Sequence, residues 1–307
     1  MVWAAVALIL IILISLVCFR LCFWQSDEEK ARIPDFPETD QYTPYKEKML
    51  ALYKEVENAE YEEITIKSYD KLTLYGRFYK GKEGAPVDIL FHGYRSSAYR
   101  DFCAGCKLSK ERGHNIILVD QRAHGKSGGH ILTFGIKERL DALKWANYAE
   151  KRFGKETPIY LIGVSMGAAT VLSASDLDLP SSVRGIIADC PFSTPGAIIR
   201  KVCRDMKIPS FIAYPFIFIG AVIFGHFFPI GGAKYSVKKT SLPILIIHGE
   251  ADRFVPHSMS REIYEVAAGE KKLVSVPEAG HGVSYFVDSE GYKKALTEFY
   301  EMKNDLD

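Results

Sequence analysis

Pro158-Ile159-Tyr160-Leu161-Ile162-Gly163-Val164-Ser165-Met166-Gly167-Ala168-Ala169-Thr170-Val171-Leu172 is the stretch that decides the fold. Its first five residues are an apolar, β-branched and aromatic run that suits a strand. Its last five are small or helix-compatible. Between them Gly163 to Gly167 has the pattern Gly-x-Ser-x-Gly. A sharp strand-to-helix turn crowds its neighbours, so small residues flank the serine and its hydroxyl is left exposed above the sheet. Ser165 is therefore the candidate nucleophile.

The same rhythm continues outward. Val87–Phe91, Ile116–Val119, Gly185–Ala188, Ile244–Ile247 and Lys272–Val276 are short apolar runs, each followed by a polar loop and a helix-like segment. Continuous apolar strands alternating with helices imply a mostly parallel central sheet covered by helices on both faces, an α/β architecture. In such sheets the active site lies at the carboxyl ends of the strands. Upstream, Glu62 to Lys80 alternates polar and apolar residues and reads as a hairpin. Tyr45 to Asn58 reads as a helix. Asp27 to Pro44, charged and carrying Pro34, Pro37 and Pro44, reads as a linker. No internal repeat is present.

The 307 residues carry a formal net charge of +1, so no strong field points to nucleic acid. Val2 to Phe19 holds no charged residue, and Trp3 and Trp24 stand at its two ends. That is the length of a membrane span with interfacial aromatics. A cleaved signal peptide is the weaker reading, because no Lys or Arg precedes the run and no A-x-A-like site follows it. Arg20, Lys30 and Arg32 lie after the span, which puts the main domain on the cytoplasmic side by the positive-inside count. The expected organisation is an N-terminal transmembrane anchor over 1–24, a linker and leading helix over 25–60, and the catalytic domain over 61–307.

Between Asp189 and Pro243 the alternation breaks, with a helical cap insertion expected at about 194–240. Within it, Phe211 to Phe228 is apolar and rich in aromatic residues. A second span there would put the flanking strands on opposite sides of the bilayer, and Pro215 and His226 also argue against it. The segment reads instead as an apolar cap over the active site, able to line an acyl pocket or to dip into the bilayer surface. Of the six cysteines, Cys103 and Cys106 form a C-x-x-C. No second ligand pair accompanies it, and it reads as two small residues on one helix face.

A serine hydroxyl needs a histidine to take its proton and an acid to orient that histidine. The chain supplies both, in the order Ser, Asp, His. Asp252 follows strand Ile244–Ile247 in His248-Gly249-Glu250-Ala251-Asp252, with Glu250 as a nearby alternative that comes too early. His281 follows strand Lys272–Val276, flanked by Gly280 and Gly282. The oxyanion formed on attack needs two donors. The Met166 N–H, next after the nucleophile, is one; the Tyr94 N–H, in the loop His92-Gly93-Tyr94-Arg95-Ser96-Ser97, is the other. Asp189, after strand Gly185–Ala188, is a further position for an acid. No metal or organic cofactor is implied.

His92-Gly93, the loop Asp120-Gln121-Arg122-Ala123-His124-Gly125-Lys126-Ser127, Gly163–Gly167, Gly249–Pro256 and Gly280–Gly282 together resemble the motif set of the α/β-hydrolase superfamily. The resemblance runs from about Glu62 to the C-terminus. It is greatest to the bacterial membrane-anchored hydrolases labelled serine aminopeptidase-like or prolyl-oligopeptidase-like, and to their Bem46-type relatives. It implies an α/β-hydrolase fold with a catalytic Ser165, Asp252 and His281. It also implies that Asp120, Arg122 and His124 are structural, and that Asp189-Cys190-Pro191-Phe192 is structural too. The loop departs from the family at Ala123, where Gly is usual. The expected activity is a serine hydrolase acting on a small, lipid-like acyl substrate, carboxylester or thioester. A serine peptidase of the same fold and a non-catalytic membrane-tethered binding protein are the alternatives.

Overall fold

The computed structural model describes residues 2–32 and 35–301. Pro34, one of the three prolines of the expected linker, lies outside them. The sheet has eight strands: β1 Glu62–Lys67, β2 Thr73–Tyr79, β3 Val87–Phe91, β4 Asn115–Asp120, β5 Ile159–Val164, β6 Val183–Asp189, β7 Ile244–Gly249 and β8 Lys271–Val276. Their order is β1-β2-β4-β3-β5-β6-β7-β8. β2 is antiparallel to β1 and β4, and every later pairing is parallel. The alternating Glu62–Lys80 segment forms the edge hairpin, its outer strand β1 largely exposed and β2 buried beyond Thr73, while β3 and β4 are buried along their whole length.

The helices are α1 Val2–Phe23, α2 Asp27–Ala31, α3 Lys46–Glu57, α4 Ala98–Asp101, α5 Cys103–Arg112, α6 Glu138–Phe153, α7 Met166–Ala174, α8 Pro195–Asp205, α9 Ser210–Ile223, α10 Ala233–Ser236, α11 His257–Val266, α12 Ser284–Val287 and α13 Ser289–Glu301. Alternate side chains of each strand feed the two faces. Ile89, Phe91 and Val119 pack against α6, α7, α10 and α11 through Trp145, Val171, Val237 and Ile263. Leu90, Ile116 and Leu245 point the other way, toward α3, α5 and α13. Cys103 and Cys106 are buried on α5, and all six cysteines are free thiols.

Three placements differ from the sequence reading or exceed it. First, the leading helix stands where it was expected, as α3, but the described part of 27–44 is no free linker. Gln41 donates to the Ala251 carbonyl at 2.7 Å and Tyr42 Oη to the His281 carbonyl at 2.6 Å, so the stretch is strapped across the carboxyl edge of the sheet. A Cβ on Gly280 would lie 2.7 Å from Gln41 Cδ, so a glycine there lets the strap close down. Second, the insertion is helical as expected, α8 and α9 joined by a short turn, but α9 packs along α1 and not over the serine. A Cβ on Gly220 would fall 2.5 Å from the Ser15 carbonyl oxygen, Phe224 packs tilted against Phe19, and Phe227 meets Phe23 edge-on. The apolar run found its partner in the other apolar helix of the chain.

Third, the carboxyl end of α1 is built into the domain. Phe23 is fully buried and meets Phe134 edge-on, and Trp24 stacks on His130. The last carbonyls of the helix are capped from the β3–α4 loop. Tyr94 Oη donates to Cys22 O at 2.8 Å, and Arg95 Nη2 donates to Leu21 O at 3.0 Å and Trp24 O at 2.8 Å. A guanidinium at a helix C-terminus satisfies orphan carbonyls and the negative end of the helix dipole together.

Candidate active site

Ser165 stands between β5 and α7 with φ 56 and ψ −114. This is a backbone region that L-residues avoid, and a tight elbow imposes it. The flanking glycines are steric necessities. A Cβ on Gly163 would lie 2.3 Å from Gly167 C, and one on Gly167 would lie 1.7 Å from Phe91 O. The elbow is tied down by Ser165 N–H, which donates to Asp189 O at 2.8 Å.

The β8–α12 loop brings His281 to this serine. Its Nε2 is 2.9 Å from Ser165 Oγ, and its Nδ1 is 2.7 Å from Asp252 Oδ2. With a neutral ring, Nδ1–H donates to the carboxylate and Nε2 accepts from the hydroxyl. Asp252 is buried at the end of β7. Its Oδ1 accepts the N–H groups of Phe254 and Val255, each at 2.8 Å. Burial alone would raise its pKa. The His281 ring and the hydrogen bonds from His248 and His281 outweigh burial and hold it well below the usual carboxylate range. Glu250 makes no such contact with His281 among the described residues; its N–H is spent on Val276 O.

Asp189 is level with the elbow but faces away from this chain of hydrogen bonds. Its Oδ2 accepts from Tyr292 Oη at 3.0 Å, and its Oδ1 has no partner among the described residues. Burial raises its pKa to about 6.

The β3–α4 loop lies against the serine. A Cβ on Gly93 would be 3.4 Å from Ser165 Cβ. Gly93 N–H donates to Asp101 Oδ2 at 2.7 Å, and Arg95 N–H donates to His124 Nε2 at 3.0 Å. The Tyr94 N–H between them has no acceptor among the described residues, and neither has Met166 N–H, the first of α7. Two unspent amides beside the hydroxyl are what an oxyanion requires.

The loop Asp120–Ser127 supports this arrangement from behind. Arg77 pairs with Asp120 and Arg122 with Asp141 and Asp70, while His124 holds the Arg95 amide. Burial drives the pKa of both His92 and His124 down, so both rings are neutral and able to accept. Ala123 has φ 61, the left-handed conformation that explains why glycine suits this position.

Sequence reasoning missed two contributors. Asp101 holds the loop through Gly93 and Ser96, with Arg100 beside it. His248 donates from Nε2 toward Asp252 Oδ2 at 3.2 Å and Val255 O at 2.9 Å, and its Nδ1 meets Ser260 Oγ at 2.6 Å. Neither carried a motif of its own; a strand-end histidine two residues before Glu250 was the only sign. Among the described residues, Cys190, Asp252 and His281 are the one group whose donor atoms lie close enough to share a metal ion, and two of the three are already engaged with each other.

A cavity of about 470 Å³ opens on Ser165 and His281. Its walls are largely apolar, with Phe36, Met49, Tyr94, Phe254 and Phe286 prominent. The strap and α3 supply much of this lining, whereas no residue of 194–240 does. The expected role of the insertion as a cap lining the pocket is therefore taken by residues 36–49, which are anchored to the His281 loop.

A family model described as the alpha/beta hydrolase fold matches residues 89–210. The chain is 27% identical to an uncharacterized protein, YqkD of Bacillus subtilis, over 76% of this chain and 78% of that one. It is 26% identical to the lysophosphatidylserine lipase ABHD12 of Danio rerio, over 68% of this chain and 53% of the relative. It thus spans about half the length of that lipase. Among solved structures, a Pyrococcus furiosus esterase, Pf2001, superposes with a TM-score of 0.64 at 23% identity, over 89% of this chain and 98% of that one. The likeness to the esterase is one of fold.

Proposed function

From the premise that this chain is a hydrolase of the α/β-hydrolase superfamily, whose fold it has, we propose that it is a membrane-anchored serine hydrolase that cleaves a carboxylester or thioester through an acyl-enzyme. One observation carries the reading. The unbroken hydrogen-bonded chain Ser165–His281–Asp252 opens on an apolar cavity beside two unspent amides.

His281 Nε2 takes the Ser165 proton as Oγ attacks the acyl carbonyl. Met166 and Tyr94 N–H groups receive the oxyanion, and Asp252 holds the imidazolium that forms. The tetrahedral intermediate collapses, and His281 delivers its proton to the departing alkoxide or thiolate. A water molecule, deprotonated by the same imidazole, then attacks the acyl-serine. This releases the carboxylic acid and returns the proton to Ser165. The apolar walls favour a hydrocarbon acyl group. An aminopeptidase of the same fold would need an unspent acid to hold the substrate's α-amine. In this cavity Asp101 is engaged by Gly93, Ser96 and Arg100, and Asp40 by Arg253.

α1, 22 residues long with Arg20 as its one charge, is long and apolar enough to cross a membrane. We assign it as the anchor and take 61–307 as the catalytic domain. The full chain in detergent should hydrolyse a short p-nitrophenyl ester and react with a fluorophosphonate probe, and Ser165→Ala should lose both. Turnover retained in Ser165→Ala would overturn the mechanism. A wild-type chain inert to both reagents would point to a binding protein on a hydrolase scaffold.

A further inference from the structure

From Ile208 to Ala233 the chain contains no Asp, Glu, Lys or Arg. At the tip of the insertion, Phe211 is 79% and Ile212 52% exposed; at its other end, Phe228 is 61% and Ile230 66% exposed. Large apolar side chains grouped in this way on one protein surface mark a contact surface. The question is what covers them.

The register against α1 answers it. Gly220 faces Ser15, Phe224 faces Phe19 and Phe227 faces Phe23, so α1 and α9 run side by side in the same direction. Every residue of Val2–Ile14 in α1 is exposed, and burial begins at Ser15, where Gly220 meets it. That exposed part is roughly 20 Å of helix at about 1.5 Å per residue. The hydrocarbon core of a bilayer is about 30 Å thick. A spanning α1 must therefore carry the lipid past Ile14 and down onto its docked portion, where α9 lies beside it. α9 itself, with 14 residues, is too short to cross but suited to enter one leaflet. The charges nearest this surface are at the α8–α9 turn, where Arg204 and Lys207 are exposed and Asp205 is paired with Lys201.

We propose that the α8–α9 insertion is a second membrane contact, its exposed apolar side chains entering the acyl region of the leaflet nearest the domain beside α1. The proposal rests on the anchoring reading above. It turns the insertion from a lid into a seat that fixes the orientation of the domain on the bilayer.

The test is photo-cross-linking of the full chain in vesicles of phosphatidylcholine and phosphatidylglycerol doped with a diazirine-tailed phosphatidylcholine, followed by peptide mapping. Adducts should appear on Phe211–Ile212 and Phe228–Ile230 as well as on α1. Adducts confined to α1 would overturn the proposal and leave the anchor intact. Adducts on neither segment would overturn the anchoring reading itself, and the proposal with it.

Discussion

At the scale of single residues, Asp252 is the most heavily committed group in the site, since its Oδ2 faces two imidazoles and its Oδ1 two amides. Asp252→Asn keeps the shape but offers His281 Nδ1 a neutral partner. The ring can then hold its proton on Nε2, where it no longer accepts from Ser165. Turnover of a p-nitrophenyl ester should fall by about 10³- to 10⁴-fold, with KM little changed; a loss under tenfold would remove Asp252 from the mechanism. Asp189 makes a contrasting prediction. Its folded-state pKa is raised to about 6 by burial, above the ordinary 3.8. A raised acid contributes stability that is fully present below the unfolded pKa and is lost as pH rises through the folded one. Above about pH 6 the buried, half-partnered carboxylate therefore costs stability. Asp189→Asn should raise Tm by several degrees at pH 8, an effect of at most about 3 kcal/mol, and change it little at pH 4. An equal shift at both values would show that the carboxyl group stays neutral throughout.

At the scale of elements, the elbow is held tightly by backbone on both sides. With a Cβ on residue 167 placed 1.7 Å from the Phe91 carbonyl, β3 and α7 cannot keep their spacing. Gly167→Ala should cost about 3 kcal/mol or more, within the range known for strain and overpacking, and denaturant midpoints would register it. A midpoint within error of wild type would mean that the strand and helix sit further apart. This rigidity is why the elbow was readable: a short local pattern had one backbone solution. The strands were readable for a similar reason, because a strand buried on both faces is apolar but for the odd paired polar residue, such as Asp88 on Ser109 in β3. The strap and the insertion were not readable, since their places are set by distant partners. Tyr42 and Gln41 look like linker residues until the backbone carbonyls of His281 and Ala251 are seen beside them. Phe211–Phe228 looked like a cap because it is apolar and inserted, and local sequence could not show that Gly220 would select Ser15 of α1 as its contact.

At the scale of the whole molecule, the segments N-terminal to the sheet complete the site. The strap walls the cavity, and the end of α1 grips Tyr94 and Arg95, the loop whose Tyr94 N–H we propose as the second oxyanion donor. Were α1 only a tether, it could be removed without consequence. Removing residues 1–24 here takes away Phe19 and Phe23 from the cluster around Phe134 and leaves Tyr94 Oη and the Arg95 guanidinium without their carbonyls. Burial of two phenylalanines is worth about 3–6 kcal/mol, a large part of the 5–15 kcal/mol that typically holds a domain. The truncated chain, compared with the full chain in the same detergent, should melt roughly 10 °C or more lower. Where it remains folded, it should turn over a soluble ester with reduced kcat and nearly unchanged KM, because the oxyanion amide acts on the transition state and not on bound substrate. Tyr94→Phe in the full chain separates the two effects. It deletes one hydrogen bond to Cys22 O and keeps the ring against Phe134, so it should lower kcat several-fold with a Tm loss of only about 1 kcal/mol equivalent. If both variants match the full chain in kcat, α1 is no part of the site; if kcat falls in both, docking of α1 and readiness of the Tyr94 loop are one property of the fold.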